Sequence, residues 1–420
     1  SLLAAASGER AHPPIPLDPD APDPTVLRSL LYFPDASRCF HGATAVKEYV
    51  ARGMDGRLMR SLKKHLPSRA FIGTYVEDRP MNLEHLIAAF LREMRVRANH
   101  HFDADVRRVV LGRPARFSSD DMDDGYAEYR LGRAAREAGF HEVSFCPEPV
   151  AAAREFRKTL SEPQRVLVAD FGGGTSDFTV LQMHREHYSA DDILAIGGVS
   201  VAGDAFDSAI MRHHVSKHFG AEVRYRVPLG HNELRMPPAL MEKICTPADA
   251  SLLREQDAMR FLRDVRDWAL DDDDRRAIDQ LFVLVEDRLG FQLFEHIERA
   301  KRALSKQQHA TIEMRYPHLE VHEPLTRAGF VESSAREPEA IVAELDATLG
   351  RAGLTAEDID IVCCTGGTAR VPGLSAALQS RCGADKLTRF KAFHSVIHGL
   401  AEFAQGLCSG DGAAGAELAR

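Results

Sequence analysis

The sequence predicts an α/β protein. Short β-like runs alternate with amphipathic helical segments along most of its length. With 420 residues, 44% of them hydrophobic, there is ample core for two or three domains' worth of chain. Three consecutive glycines, Gly172 to Gly174, stand between two of the β-like runs, where a turn from strand to strand is required.

In order, the first 35 residues are expected to hold a short strand, a proline-rich loop from Pro13 to Pro24, and a strand near Leu27–Phe33. Ala43–Arg52 reads as a short helix and Leu58–Leu66 as a short basic segment. Asn82–His100 carries Leu83, Leu86, Ile87, Phe90, Leu91 and Met94 at helical spacing. A strand at Val106–Gly112, a helix around Tyr126–Ala138, a strand near Glu142–Cys146 and a helix opened by Pro147-Glu148-Pro149 follow. Beyond the glycines, Gly203-Asp204 opens a helix running to about Phe219. Residues 222–290 are polar and helical and read as a peripheral insertion. A long helix carries Phe294 to Leu304, Ile359–Cys364 is a buried strand, Val371–Arg381 begins a helix, and the last helix spans about His394–Leu407 before a Gly/Ala-rich tail predicted to be disordered.

The glycines belong to Asp170-Phe171-Gly172-Gly173-Gly174-Thr175-Ser176-Asp177. Such a turn exposes backbone N–H groups and removes every Cβ from their path, which suits a polyphosphate. Asp170 and Asp177 could hold a hydrated Mg²⁺ against those phosphates. A plain glycine hairpin is the competing reading; the flanking Asp, Thr and Asp favour phosphate. Neither Gly-x-x-x-x-Gly-Lys-Ser/Thr nor a strand-to-helix Gly-x-Gly-x-x-Gly occurs.

A net charge of −9 argues against a general nucleic-acid or anionic-membrane binder. No apolar run approaches the roughly 20 residues of a membrane span. Seven cysteines without a Cys-x-x-Cys pair do not make a disulfide framework, and a reducing cytoplasm is the expected compartment. His213, His214 and His218 read as a solvated helix face, and Asp271–Asp274 as a helix N-terminus. Cys363 and Cys364 are adjacent in a strand and so point to opposite faces as buried thiols. Ser118–Asp124 reads as an exposed acidic loop.

Three separated pieces agree: Asp170–Asp177, then Glu298-Arg299-Ala300-Lys301-Arg302-Ala303-Leu304-Ser305, then Thr365-Gly366-Gly367-Thr368-Ala369-Arg370-Val371-Pro372. With Glu148-Pro149-Val150-Ala151-Ala152-Ala153, they closely resemble the nucleotide domain of the seventy-kilodalton heat-shock chaperone family, within the actin, hexokinase and chaperone ATPase superfamily. The resemblance covers roughly residues 25 to 405 and is greatest to the YegD-type subgroup, through Val285–Gly290 and Phe393-His394-Ser395-Val396. It implies an actin-like fold of two lobes, each on a mixed sheet with flanking helices: residues 1–162, then 163–393 with the insertion at about 222–290, then 394–420 as a helix returning to the first lobe plus the tail.

The same resemblance implies ATP or ADP with Mg²⁺ as cofactors. Glu298, Lys301, Arg302 and Ser305 share a helix face by spacing; the family places Glu298 and Lys301 on ribose, Arg302 on the base and Ser305 in a hydrogen bond to it. Gly366, Gly367 and Thr368 would approach the nucleotide, and Arg370 would flank the adenine. Gly203 and Asp204 resemble a further turn beside the phosphates, looser than the usual Gly-Gly-Glu. Lys63, with Lys64 as the alternative, aligns with the lysine that orients attacking water. Glu148 and Thr175 would help to place that water, while Asp170 and Asp177 act through metal-bound water. Pro114 matches an interdomain switch proline, but the basic residue expected several positions later is absent. Phe393 stands where an acidic residue is often found.

The family's first phosphate loop, Asp-x-Gly-Thr-x-x-Ser, is not present, and Ser1–Ala6 resembles the strand after it. The chain is therefore expected to start within the first lobe, with ATP binding weakened and turnover conditional. After the last helix no hydrophobic linker or β-sandwich follows in this sequence, so a peptide-clamping cycle is not assumed. The leading reading is an ATP-binding, chaperone-like protein with slow ATP hydrolysis and a possible client or co-chaperone. A non-catalytic nucleotide-dependent interaction protein is the alternative, and a small-molecule kinase on the same fold a third.

Overall fold

Apolar residues at the consecutive positions 166–169 can all be buried only where a strand is covered on both faces, and the computed structural model of the protein places them at such a site. The structure describes residues 1–21, 23–53, 55–60, 62–114, 116–117, 121–157, 160, 162–184, 192–246, 256–389 and 392–409, with the backbone alone at 60, 64, 121–122, 153–157, 256, 389 and 392–395. The Lys64 and Phe393 side chains, residues 118–120 of the acidic loop and the tail from 410 lie outside the described residues.

Leu30–Asp35 (β1) pairs antiparallel with Arg38–His41 (β2) and Arg57–Arg60 (β3), and Gly42–Ala51 (α1) links β2 to β3. A 3-10 turn, Leu62–His65, follows. Gly73–Val76 (β4) and Arg79–Asn82 (β5) form a hairpin that feeds Leu83–Phe102 (α2), whose N-cap Asn82 accepts from the His85 amide at 2.7 Å. Arg108–Arg113 (β6) and Glu142–Pro147 (β7) are a parallel pair connected through Asp121–Glu137 (α3), and Glu148–Arg157 (α4) leaves β7 directly.

Ser176–Met183 (β9) pairs antiparallel with Gln164–Phe171 (β8) on one side and Ile193–Val199 (β10) on the other. Gly203–Ile210 (α5) continues through π and 3-10 turns to Phe219. The region expected as an insertion holds Arg224–Tyr225 (β11), Leu234–Arg235 (β12), Pro238–Cys245 (α6), Gln256–Trp268 (α7) and Asp272–Glu286 (α8). As expected for a helix N-terminus, Asp271 caps α8 and accepts from the Asp274 amide at 2.8 Å. Gly290–Leu304 (α9) leads to the hairpin His309–Tyr316 (β13) and Leu319–Thr326 (β14), then Arg327–Ser333 (α10) and Arg336–Arg351 (α11). Ile361–Thr365 (β15), Pro372–Cys382 (α12), Leu387–Arg389 (β16) and Ala392–Ser409 (α13) complete the described chain.

The five-stranded sheet has the order β10-β9-β8-β15-β16, with β15 parallel to both β8 and β16. Leu167, Ala169, Phe171, Val362 and Cys364 face the main core; Val166, Val168 and Cys363 face a second cluster with Leu181. The two neighbouring cysteines thus point to opposite faces. Helices α6, α7 and α8 are peripheral in sequence, yet Met241, Ile244, Leu262, Val265, Ile278 and Leu281 join the same core as Phe206 and Phe219. Residues 222–290 therefore cap the second half rather than forming a core of their own.

Several stretches depart from expectation. Residues 121–124 of the expected acidic loop form the first turn of α3, with Asp123 and Asp124 half-buried. Ser1–Ala6 is not a full strand: Ala6 bridges Ala11, while His12 and Ile15 donate to the carbonyls of Ala5 and Leu3 at 2.8 and 3.0 Å. Pro13, Pro14 and Pro16 lack the N–H groups a continuous ladder needs. The stretch 306–358, without a predicted element, contains the β13–β14 hairpin and α10 and α11. Its period-two burial of Ile312, Met314, Leu319, Val321 and Leu325 is a regular strand pattern.

The last helix returns to the first half, packing on α4 and β6. At the crossing, a Cβ on Gly399 would lie 1.8 Å from the Ala151 carbonyl oxygen, whereas one on Gly406 would meet nothing within 4 Å. Gly399→Ala is expected to cost about 1–3 kcal/mol by overpacking. Gly406→Ala on the same helix should be neutral or add up to about 1 kcal/mol. Urea unfolding of the two variants checks this, and equal stabilities would contradict the close crossing.

Candidate functional site

The β8–β9 hairpin turns through Gly172, Gly173, Gly174 and Thr175, closed by the Gly172 amide donating to the Thr175 carbonyl at 2.9 Å. Two other turns are laced onto it. Gly203 and Asp204 donate their amides to the carbonyls of Gly172 and Gly173 at 3.3 and 2.7 Å. Thr368 donates its hydroxyl to the Gly172 carbonyl at 2.9 Å. A side chain at Gly366 (φ +85°) would drive a Cβ to 2.0 Å from the Phe171 carbonyl oxygen, and one at Gly203 would meet the Thr368 hydroxyl at 2.9 Å. Glycine at 366 is thus imposed by backbone passing backbone, and at 203 by the Thr368 hydroxyl that is held on the Gly172 carbonyl. Gly174 and Gly367 have a different reason: a Cβ there would project into open space. That open space beside exposed amides is what a phosphate-bearing ligand would use.

The flanking carboxylates follow from strand register. Asp170 and Asp177 are directly paired across β8 and β9, so they stand on one face, and Thr365 is opposite Asp170 on β15. Thr365 donates to Asp170 Oδ1 at 2.5 Å, and Thr175 to Asp177 Oδ2 at 2.8 Å. Burial raises the Asp170 pKa above the ordinary carboxylate value, opposed by the Thr365 hydrogen bond, with the charge of Glu148 raising it further. Asp177 is pushed up to about 6, mainly by burial, with Asp170 and Glu148 adding their repulsion. Crowded, desolvated carboxylates of this kind are satisfied by a cation. Among the described residues no group of three or more His, Cys, Asp or Glu is placed to hold a metal directly. The donor set fits Mg²⁺ held through water and phosphate oxygens.

Across the cleft, Lys63 in the 3-10 turn donates its ammonium to Glu148 Oε1 at 2.7 Å, with both groups partly exposed. Glu148 begins α4 directly after β7, close enough to Asp170 and Asp177 for its charge to raise the pKa of both. A cavity of about 640 Å³ is lined by Glu148, Asp170, Thr175 and Asp177 and extends past Pro114 and Phe117 to the edge of β10. Its volume is in the range of small-molecule sites. The cavity covers the carboxylate side; the α9 residues do not line it.

On α9 the expected face divides. Glu298 accepts from the Arg302 guanidinium and lies 3.8 Å from that of Arg28, while Arg28 also bonds Glu295 at 3.0 Å. Arg302 is exposed, as is Arg370 beyond the Gly366-Gly367 turn. Ser305 bonds back to the Lys301 carbonyl at 3.4 Å. Lys301 departs from its expected place at ribose hydroxyls: its ammonium is buried, donating to the Gly203 carbonyl at 2.8 Å and to Asp207 Oδ2 at 2.7 Å. The physical reason is its flank of the helix, turned with Ala300 and Leu304 toward α5. Asp207 is not among the residues that the motifs mark. Its spacing of four residues from Gly203 on α5 is the available signal, since i and i+4 share a face. Burial pushes its pKa up to about 6 against the pull of Lys301, and its Oδ1 is buried without a hydrogen-bond partner. Of the three histidines, His214 bonds Ser333 and His218 bonds Glu323, each at 3.0 Å, which accounts for them as packing groups.

The model of the family described as Hsp70 protein matches residues 40–234 and 276–413. The matched segments contain the glycine hairpin, the Gly203 turn, α9 and the Gly366-Gly367 turn; the gap falls on α6, α7 and the start of α8.

Lys301 and Asp207 form a buried pair that joins α9 to the Gly203 turn. Lys301→Met leaves a buried carboxylate without its cation and is expected to cost about 3–5 kcal/mol in denaturant unfolding. Lys301→Met combined with Asp207→Leu should recover most of that loss. A single variant as stable as the parent would show that the pair does not hold α9 to α5.

Proposed function

The chain belongs to the Hsp70 protein family, whose model matches well over half of its residues, and from that premise we propose that it couples slow ATP hydrolysis to closure of its two lobes. Membership makes it a nucleotide-binding protein of chaperone type with the actin-like ATPase fold. No helix among the described residues is long and apolar enough to cross a membrane. The observation that carries the finer reading is the meeting of Lys63, Glu148, Asp170, Thr175 and Asp177 around one open glycine turn.

Phosphoryl transfer to water asks a protein for position and charge rather than covalent chemistry. In this reading the amides of Gly173 and Gly174 receive the phosphates, while those of Gly172, Gly203 and Asp204, spent on the carbonyls of Thr175, Gly172 and Gly173, hold the turns that border them. Bound Mg²⁺ would neutralise phosphate charge, held by Asp170 and Asp177 through water. Lys63 faces the terminal phosphate, and Glu148, which Lys63 already contacts, orients the attacking water together with Thr175. Glu298, Arg302, Ser305, Gly366, Gly367, Thr368 and Arg370 form the nucleoside side. Lys301 acts there by fixing α9 against α5 rather than by touching ribose.

Closure is supported by contacts already linking the halves. Arg28 pairs with Glu295, Asp55 lies 3.5 Å from Arg288, and Tyr49 meets Phe291 edge-on at 6.0 Å. Nucleotide state would change the angle of the lobes and with it a surface offered to a client protein or co-chaperone. The seven cysteines are all free, and we place the protein in a reducing cytoplasm.

Turnover of radiolabelled ATP by the purified protein tests the proposal. Lys63→Ala should lower kcat about 100-fold, the cost of removing one preorganised charge, with the nucleotide Kd little changed. Binding without turnover would replace the ATPase reading with a nucleotide-dependent interaction protein. Equal losses in kcat and affinity would show that Lys63 does not act on the terminal phosphate and its attacking water.

A further inference from the structure

Lys63 reaches Glu148 from an irregular segment, and something must fix that segment. A long ammonium stem is flexible, so the origin of the stem decides what it can reach. Residues 62–72 contain one short 3-10 turn and no strand, and their carbonyl groups need donors wherever water is excluded. No motif in the sequence marks a partner for this stretch.

The structure supplies one from a distant helix. Arg130 on α3 is 2% exposed, among the largest fully buried side chains of the protein. Its Nη1 donates to the carbonyls of His65, Leu66 and Ser68 at 3.3, 3.5 and 3.1 Å, and its Nη2 to that of Phe71 at 3.1 Å. Nε bonds Glu84 Oε1 at 3.0 Å, which compensates the buried charge. Tyr126 lies against the guanidinium, 5.3 Å from its ring centroid. The backbone link to the lysine is short: the Leu66 amide donates to the Lys63 carbonyl at 3.2 Å. His65 stacks on Phe71 at 4.2 Å, closing the segment over the buried Leu66.

We propose that Arg130 is the positioning residue for Lys63, holding the 65–71 backbone so that the lysine ammonium meets Glu148. One guanidinium presents five N–H donors in a rigid fork: the two on Nη1 are shared among the carbonyls of His65, Leu66 and Ser68, the two on Nη2 serve Phe71 and Glu84 Oε2, and Nε serves Glu84 Oε1. A lysine at 130 keeps the charge beside Glu84 but has three donors on one atom, which cannot span Ser68 and Phe71 at once. The inference rests on the reading of Lys63 as the group that faces the terminal phosphate.

The test separates positioning from plain stability. Lysines are labelled as ¹³C-dimethyl amines, the Lys63 resonance is assigned with Lys63→Arg, and its displacement by Glu148→Gln is recorded. In an Arg130→Gln or Arg130→Lys background that displacement should vanish, while Glu84→Gln, which weakens the same buried pair but leaves the carbonyl bonds, should retain it. In the ATPase assay, Arg130→Lys should lower kcat about tenfold or more with nucleotide Kd unchanged, since small misplacements of a reacting group are costly. Arg130→Lys decides the question if Arg130→Gln fails to fold. An unaltered Lys63 response in a folded Arg130 variant overturns the proposal, and so does its equal loss in Glu84→Gln. Should the parent protein bind no nucleotide, the functional reading fails, yet the resonance experiment still decides the role of Arg130.

Discussion

Backbone passes backbone at the centre of this protein, and the remaining geometry depends on it. The carbonyl oxygen of Phe171 would stand 2.0 Å from a side chain at residue 366. The Gly203-Asp204 amides sit on the carbonyls of Gly172 and Gly173. Three turns from three separated parts of the chain are thereby locked into one surface. With no Cβ permitted at Gly366, the sheet can bring β15 against the β8–β9 hairpin, and Gly203 leaves room for the Thr368 hydroxyl where the start of α5 joins them. The cross-strand pairing of Asp170 with Asp177 then sets two carboxylates on one face beside the open amides.

Around that centre, charged pairs connect elements that are far apart in sequence. Lys63 meets Glu148 across the cleft, Lys301 ties α9 to α5 through Asp207, and Arg130 clasps the 65–71 backbone with Glu84 behind it. Burial makes the last two costly to break, so each acts as a specific joint rather than as general glue. The first is partly exposed and contributes little to stability by itself. Its significance lies in where it places an ammonium and a carboxylate.

Much of the candidate site was legible because its residues are close in sequence. Asp170–Asp177 shows its turn, its carboxylates and its hairpin in eight consecutive residues, and helical spacing put Glu298, Lys301, Arg302 and Ser305 on one face. Elements near these motifs were legible for the same reason, with ends displaced by a few residues. Less visible was the direction of a side chain at the margin of a face: Lys301 lies where the exposed side of α9 meets its packed side, and burial turned it inward to Asp207. Asp207, Thr365 and Arg130 carried no local mark, because their meaning comes from partners tens to hundreds of residues away.

The amino-acid sequence by itself determined the α/β class, the glycine hairpin with its two carboxylates, the opposed burial of Cys363 and Cys364, and the family to which the chain belongs. Periodicity, turn chemistry and short motifs are local properties, and local properties can be read in order along a chain. Only the tertiary structure decided that residues 222–290 share the main core, that Lys301 turns inward to Asp207, and that Arg130 holds the segment from which Lys63 extends. Those outcomes depend on which buried groups find hydrogen-bond partners once water is excluded, a condition that the whole fold sets and no single segment contains.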